Sequence, residues 1–364
     1  MKKIVFLSPV LSNLSNFRRE LILTLASQGH DITLACDYDQ EFEEFSAAGV
    51  KYYKVPLDRR GLNPLKELNA CLKYYSFLKK SRPDVVLTFT TKCSVYGGIV
   101  CRWLRIPYII NNSGLFDPNR IGSLFGRILD FLHRLAYSKT ACIMYQNKTE
   151  MAVLNKVLNN RAPYRLIPGS GVNIERFQPL AYPEDGTIQF LMICRIQKEK
   201  GIDEFLEAAE TIKQKYENAT FHLLGRFDEN YEDVILAKDK KGIIKYHPPV
   251  TDVRPFLLDA HCIVNPSYHE GMSNVLLEAA ASGRPCIASN CPGCNDIVED
   301  GRNGYLIEPR NATDLADKIE RFINTPYEKK IEIGFEGRKK IEREFDRNIV
   351  VNAYLEEINK AIKQ

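Results

Sequence analysis

The chain has 364 residues, 26% of them charged and 45% apolar, which is the composition of an ordinary globular protein and the length of two domains rather than one. No run of about 18 apolar residues occurs, so no spanning helix is expected. The opening run Ile4–Leu7 is too short for a secretion signal and lacks a small-residue cleavage site, so a buried first strand is expected there. The net charge of +4 hides an asymmetry: residues 1–178 carry 25 Lys and Arg against 14 Asp and Glu, and residues 179–364 carry 25 against 32. A basic first half suits an anionic ligand or surface, but no nucleic-acid-binding motif accompanies it. The ten cysteines are scattered, many within apolar segments, as reduced buried thiols would be. Cys291 and Cys294 form one C-x-x-C without a second ligand pair, so a plain surface turn is expected rather than a metal site.

In chain order, Ile4–Ser8 reads as a strand and Ser8–Asn16 as a loop without glycine. Asn16–Gln28 reads as a helix, Asp31–Cys36 as a strand, and Phe42–Ala48 as a short helix. Lys51–Val55 (strand), Pro64–Lys80 (helix) and Val85–Phe89 (strand) continue a βαβα rhythm that implies a parallel sheet covered by helices. Gly122–Lys139 is a basic amphipathic helix, fit either to pack normally or to lie on an anionic leaflet. Periodicity fails near Gly171–Gly186, the expected domain boundary. Gln189–Cys194 (strand), Gly201–Tyr216 (helix), Thr220–Leu224 (strand), Cys262–Asn265 (strand), Asn274–Ala281 (helix), Pro285–Ser289 (strand) and Thr313–Ile323 (helix) repeat the pattern. The fold class is therefore α/β, with two doubly wound, Rossmann-like domains. The first is expected over 1–170 and the second over 171–344. An amphipathic helix over 345–364 would cover its own domain or complete the first.

Two segments carry candidate chemistry. In Asn265-Pro-Ser-Tyr-His-Glu-Gly-Met-Ser-Asn-Val-Leu-Leu-Glu278 a strand ends, a turn follows, and Ser273 or Asn274 can cap a helix whose free N–H groups attract phosphate. Glu270 and Glu278 stand about 12 Å apart along an ideal helix. They cannot act on one atom but can hold two ends of a long ligand. A capped helix with two surface acids fits the spacing equally well. In Ile193-Cys-Arg-Ile-Gln-Lys-Glu-Lys-Gly201, Arg195 and Lys200 follow a strand and suit a diphosphate, or simply form a solvated basic turn. His133 falls in an apolar helix and reads as structural; His269 reads as a turn residue.

The order R-x-x-x-x-K-G, Leu224-Gly225, E-G-M-S-N-V-L-L-E, then P-G-C-N-D-I-V-E-D-G-R-N-G resembles the retaining glycosyltransferases of family GT4, which have the GT-B fold of two domains facing across a crevice. The resemblance runs over essentially the whole chain. It is nearest in kind to bacterial enzymes that extend lipid-diphosphate-linked oligosaccharides for capsule, O-antigen or N-glycan assembly. It implies that Arg195, Lys200 and Glu270 serve the chemistry. It also implies that Gly271, Met272, Ser273 and Asn274 line the donor sugar and phosphates, that Glu278 binds the ribose, and that Pro249–Asp252, with Val250, lies near the base. The first domain would bind the acceptor and the second the nucleotide sugar, a UDP-sugar, without a metal. The acceptor would be a polyprenyl-diphosphate-linked glycan, and the enzyme peripheral at the inner face of the cytoplasmic membrane. Asn13, Lys92, Asn112 and Asp117 are the acceptor-side candidates, since the family's glycine-rich first loop and its usual His are missing here. A soluble or lipopolysaccharide-core acceptor, a non-catalytic nucleotide-sugar-binding protein and an epimerase are the competing readings.

Overall fold

The computed structural model describes residues 1–39, 42–57, 64–112, 124–159, 161–184 and 186–363; Asp117 lies outside them. Two compact units emerge, one formed by Met1–Ser170 with Asn348–Gln364 and the other by Gly171–Arg347.

The first unit alternates β1 (Lys3–Val10), α1 (Leu11–Ser27), β2 (Asp31–Asp37), α2 (Glu43–Ala47), β3 (Lys51–Lys54), α3 (Pro64–Ser81), β4 (Val85–Phe89), α4 (Thr91–Leu104), β5 (Tyr108–Asn112), α5 (Leu124–Tyr137), β6 (Cys142–Tyr145), α6 (Lys148–Val157) and β7 (Tyr164–Leu166). The strands form one parallel sheet in the order β3-β2-β1-β4-β5-β6-β7. β4 and β5 are buried along their whole length, as strands covered by helices on both faces must be.

The loop expected over Ser8–Asn16 is absent. β1 runs on to Val10 and α1 starts at Leu11. Leu11 and Leu14 are fully buried and extend the helical apolar spacing of Leu21, Ile22 and Leu25, while the intervening Ser and Asn residues reach outward. Asp39 stands in for a side-chain cap by accepting from Ser12 N at 2.8 Å.

The last helix, α13 (Arg347–Lys363), packs on this first unit. Val350, Val351, Tyr354, Ile358 and Ala361 join its core, and Ile349 is exposed. A buried cation fixes the register. The Arg18 guanidinium lies over the rings of Phe89 (5.3 Å) and Tyr354 (5.4 Å), and Asn111 Oδ1 accepts from both Arg18 (2.9 Å) and the Tyr354 hydroxyl (2.7 Å).

The second unit comprises β8 (Ile188–Ile193), α7 (Ile202–Lys213), β9 (Ala219–Leu224), α8 (Glu232–Lys240), β10 (Lys245–His247), α9 (Arg254–Asp259), β11 (Cys262–Asn265), α10 (Asn274–Ala281), β12 (Cys286–Ser289), β13 (Gly304–Ile307), α11 (Ala312–Ile323) and α12 (Tyr327–Glu344). Its parallel sheet runs β10-β9-β8-β11-β12-β13. The segment leading into it is held by two buried arginines. Arg338 donates to the carbonyls of Phe177 (2.6 Å) and Ala281 (2.7 Å), and Arg284 to those of Leu257 (2.7 Å) and Ala181 (2.7 Å). Burial lowers the Arg284 guanidinium to about 10. Its carbonyl partners compensate the desolvated charge.

Candidate functional site

In the second unit the chain runs outward from β8 through β9 to β10, then returns to lay β11 on the other side of β8. The seam between β8 and β11 is the topological switch point where open α/β sheets bind ligands, beyond the strands' carboxyl ends. The two segments singled out from sequence leave those two strands side by side.

After β8, Cys194 and Arg195 lead into a single tight turn, Lys198–Lys200, which Gly201 ends with φ +76°. A Cβ at Gly201 would lie 2.2 Å from the Pro266 carbonyl oxygen, so only glycine lets this turn sit on the loop after β11. The close approach brings Lys200 Nζ to 2.6 Å from Glu270 Oε1, with both side chains mostly covered. Arg195 is half exposed, and its Nη1 donates to Asp228 Oδ2 at 3.0 Å. Asp228 also faces Arg226, at 3.5 Å. The two cations read from sequence as a diphosphate pair are thus each held by a carboxylate here. An incoming phosphate would displace or share those partners.

After β11, the loop Pro266–Ser273 ends in a Ser273 cap, whose hydroxyl accepts from Leu276 N and from Asn265 Nδ2 (2.8 Å). Ser273 N donates to the Gly293 carbonyl at 3.1 Å, so the main-chain donor expected of Ser273 is committed inside the protein. Asn274 opens α10, and the Met272 side chain is buried in the core beneath it.

The C-P-G-C segment is not a surface turn. Cys291 and Cys294 are buried, because Gly293 packs against the carbonyls of Glu270 and Gly271, where a Cβ would come within 2.7 Å. The turn therefore buttresses the Glu270–Gly271 loop from behind. A hydrogen bond with Cys291 and burial push the Cys294 thiol well above its usual range, and burial pushes Cys194 up to about 12. Neither of these two thiols is poised as a nucleophile. No group of three potential metal ligands occurs among the described residues.

Glu278 sits along α10, and its carboxylate makes no hydrogen bond or ion pair among the described residues. Burial raises its carboxyl to about 7 against the pull of Arg347 and Arg176, with Asp252 adding to the rise. A carboxylate without a committed donor has the capacity to accept hydrogen bonds from hydroxyls. Val250, in the loop after β10, is exposed. The adjacent Asp252 is brought to about 2 by hydrogen bonds from Arg254. His269 is exposed, 3.8 Å from Glu199, and His133 is buried edge-on to Tyr137.

In the first unit, Lys92 is the second residue of α4 and donates to Glu67 Oε1 at 2.7 Å. Asn112, at the end of β5, is buried and donates to Glu150 Oε2 at 3.2 Å. Asn13 lies in the first turn of α1. Lys92 and Asn112 have separate partners. The sequence reading missed Asp228 and gave no role to Asn265 or Gly293, which its motifs contained. Asp228 follows Leu224-Gly225 by three positions, too common an arrangement to notice without the sheet order.

Residues 15–169 match the family described as "Glycosyl transferase 4-like domain", and residues 187–325 that described as "Glycosyl transferases group 1". The chain is 24% identical to the N,N'-diacetylbacillosaminyl-diphospho-undecaprenol alpha-1,3-N-acetylgalactosaminyltransferase of Campylobacter jejuni over 99% of both chains. It is 24% identical to the UDP-Gal:alpha-D-GlcNAc-diphosphoundecaprenol alpha-1,3-galactosyltransferase of Escherichia coli over 88% of this chain and 85% of that one. Among solved structures, Anabaena HepE in complex with UDP-glucose superposes with a TM-score of 0.79 at 17% identity, covering 99% of this chain and 100% of that one. The fold is GT-B.

Proposed function

We propose, for a chain that belongs to the glycosyltransferases, that it moves a hexose or N-acetylhexosamine from a UDP-sugar to a polyprenyl-diphosphate-linked glycan, with retention at the anomeric carbon and without a divalent metal. The setting would be assembly of a bacterial surface polysaccharide or glycoprotein glycan. The observation that carries the reading is the Lys200–Glu270 pair at the switch point, 2.6 Å apart, beside Arg195.

When the sugar–phosphate bond breaks, its electron pair passes to the departing diphosphate. Fixed cations stabilise the charge that develops there. Lys200 and Arg195 are those cations, and Glu270 and Asp228 hold them in place until phosphate arrives. The acceptor hydroxyl oxygen forms the new bond at the anomeric carbon, and its proton passes to the oxygen of the departing diphosphate. Glu278 accepts from the ribose hydroxyls, and the loop at Gly271–Met272 lines the sugar. The two undecaprenol-linked relatives support a lipid-linked acceptor.

Peripheral attachment to the inner leaflet fits α5, whose outer face exposes Ile128 and Phe131 beside Arg127 and Arg134. No helix among the described residues is long and apolar enough to cross a membrane.

A thermal-shift screen against nucleotides and nucleotide sugars, in chelator, tests the donor reading, because a ligand of the folded state raises its melting temperature by mass action. UDP and one UDP-sugar are expected to shift it. No shift with any nucleotide would overturn the assignment.

A further inference from the structure

Tyr268 stands two positions before Glu270 in the loop after β11, and the activity above gives it no part. Three elements grip it. Its N–H donates to the Glu199 carbonyl at 2.9 Å, within the turn that carries Lys200. Its hydroxyl donates to the Glu204 carboxylate, at 2.9 Å from Oε1 and 3.2 Å from Oε2, in the first turn of α7. Its ring lies under the Arg310 guanidinium, 4.6 Å from the ring centroid. We propose that Tyr268 is a positioning residue for the donor diphosphate, a strut that fixes the Glu270 loop against the Lys198–Lys200 turn. The assignment rests on the donor reading above.

The contacts make Tyr268 a strut and not a pivot. Gly201 against Pro266 presses turn and loop together at one end, and the main-chain bond to Glu199 joins them further along. Those contacts alone would let the loop swing about Tyr268. The hydroxyl, anchored at the far end of a rigid ring, removes that freedom. Glu204 is buried, and the N-terminus of α7 favours its negative charge. A hydroxyl bonded to an ionised carboxylate makes one of the stronger hydrogen bonds. Burial, then Glu204, push the Tyr268 hydroxyl up to about 12, so it keeps the proton it donates. Arg310 reaches the ring from a left-handed backbone, φ +63°, a conformation that a non-glycine residue keeps only where its surroundings fix it.

The consequence falls on the cation. Lys200 Nζ is 2.6 Å from Glu270 Oε1, so a shift of the loop moves Glu270 and draws the ammonium with it. A misplacement of about 1 Å can cost about 100-fold in a reaction. Tyr268 touches no reacting atom and acts only through this pair.

The test is calorimetry on the full chain and three variants with UDP and with UMP, which lacks the second phosphate, alongside thermal melts. Tyr268→Phe keeps the ring under Arg310 and removes the hydroxyl. It should bind UDP about tenfold more weakly and UMP as wild type does. Glu204→Gln keeps an oxygen that accepts from the hydroxyl and should bind UDP within about threefold of wild type. Tyr268→Phe alone leaves the buried Glu204 carboxylate without its donor and should melt lower. Tyr268→Phe/Glu204→Met removes both polar partners and should recover the melting temperature. Its UDP affinity should stay weak, which a merely stabilising role would not produce. Undiminished UDP affinity in Tyr268→Phe, UMP affinity that falls in step with UDP, or UDP affinity that returns with the melting temperature would each overturn the assignment and leave the donor reading standing. No heat from wild type with UDP would instead remove the donor reading, and this assignment with it.

Discussion

Replacing Glu278 with Gln should stabilise the ligand-free protein at high pH and weaken the donor at every pH where the carboxylate is charged. The carboxyl titrates near 7 in the fold against an ordinary 4.5, a rise of about 2.5 units, or about 3 kcal/mol at 1.36 kcal/mol per unit. A raised acid binds its proton more tightly in the folded state than in the unfolded state. Its stabilising contribution is therefore complete below 4.5 and is lost as pH climbs through about 7. Gln carries no such loss. In urea titrations, wild type and Glu278→Gln should differ little near pH 4.5, and the variant should gain up to about 3 kcal/mol by pH 8. Calorimetry with UDP should run the other way. The variant should bind about tenfold more weakly at pH 8, where wild type presents a charged acceptor to the ribose, and the gap should close below pH 7. A variant less stable than wild type at pH 8, or a stability difference independent of pH, would refute the reasoning.

Lys200→Ala should cut turnover by about 100-fold or more, the usual effect of losing a fixed charge at a leaving group, with circular dichroism unchanged; near-normal turnover would remove Lys200 from the diphosphate. Gly201→Ala should cost about 2 kcal/mol or more, because the new Cβ would meet the Pro266 carbonyl at 2.2 Å in a left-handed backbone; an unchanged urea midpoint would contradict that packing. Ile128→Ser/Phe131→Ser should reduce flotation with vesicles containing anionic lipid and leave the UDP thermal shift intact; undiminished flotation would exclude α5 as the contact.

The alternating strands and helices were legible because each carries its own period and its own stop. Cys262–Asn265 is a short apolar run closed by Pro266, and Asn274–Ala281 follows a serine cap. What local pattern does not carry is which strands become neighbours. Lys200 and Glu270 are 70 positions apart, and only the placement of β8 against β11 makes them partners. Asp228 was invisible for the same reason, as a lone acid after a strand. The start of α1 was misread because Ser and Asn between Leu11 and Leu14 look like a loop until both leucines are buried. The C-P-G-C turn was read as surface because Gly and Pro commonly mark exposed turns. Here the glycine instead admits the neighbouring Glu270–Gly271 backbone.

The most direct test of the central claim is UDP release from a UDP-sugar by the purified chain, with and without an undecaprenyl-diphosphate-linked oligosaccharide, in chelator. Release that depends on the acceptor, with a product one sugar heavier by mass spectrometry and lost in Lys200→Ala, is the predicted result. Donor binding without acceptor-dependent release for any UDP-sugar would contradict the account and leave a nucleotide-sugar-binding protein in its place.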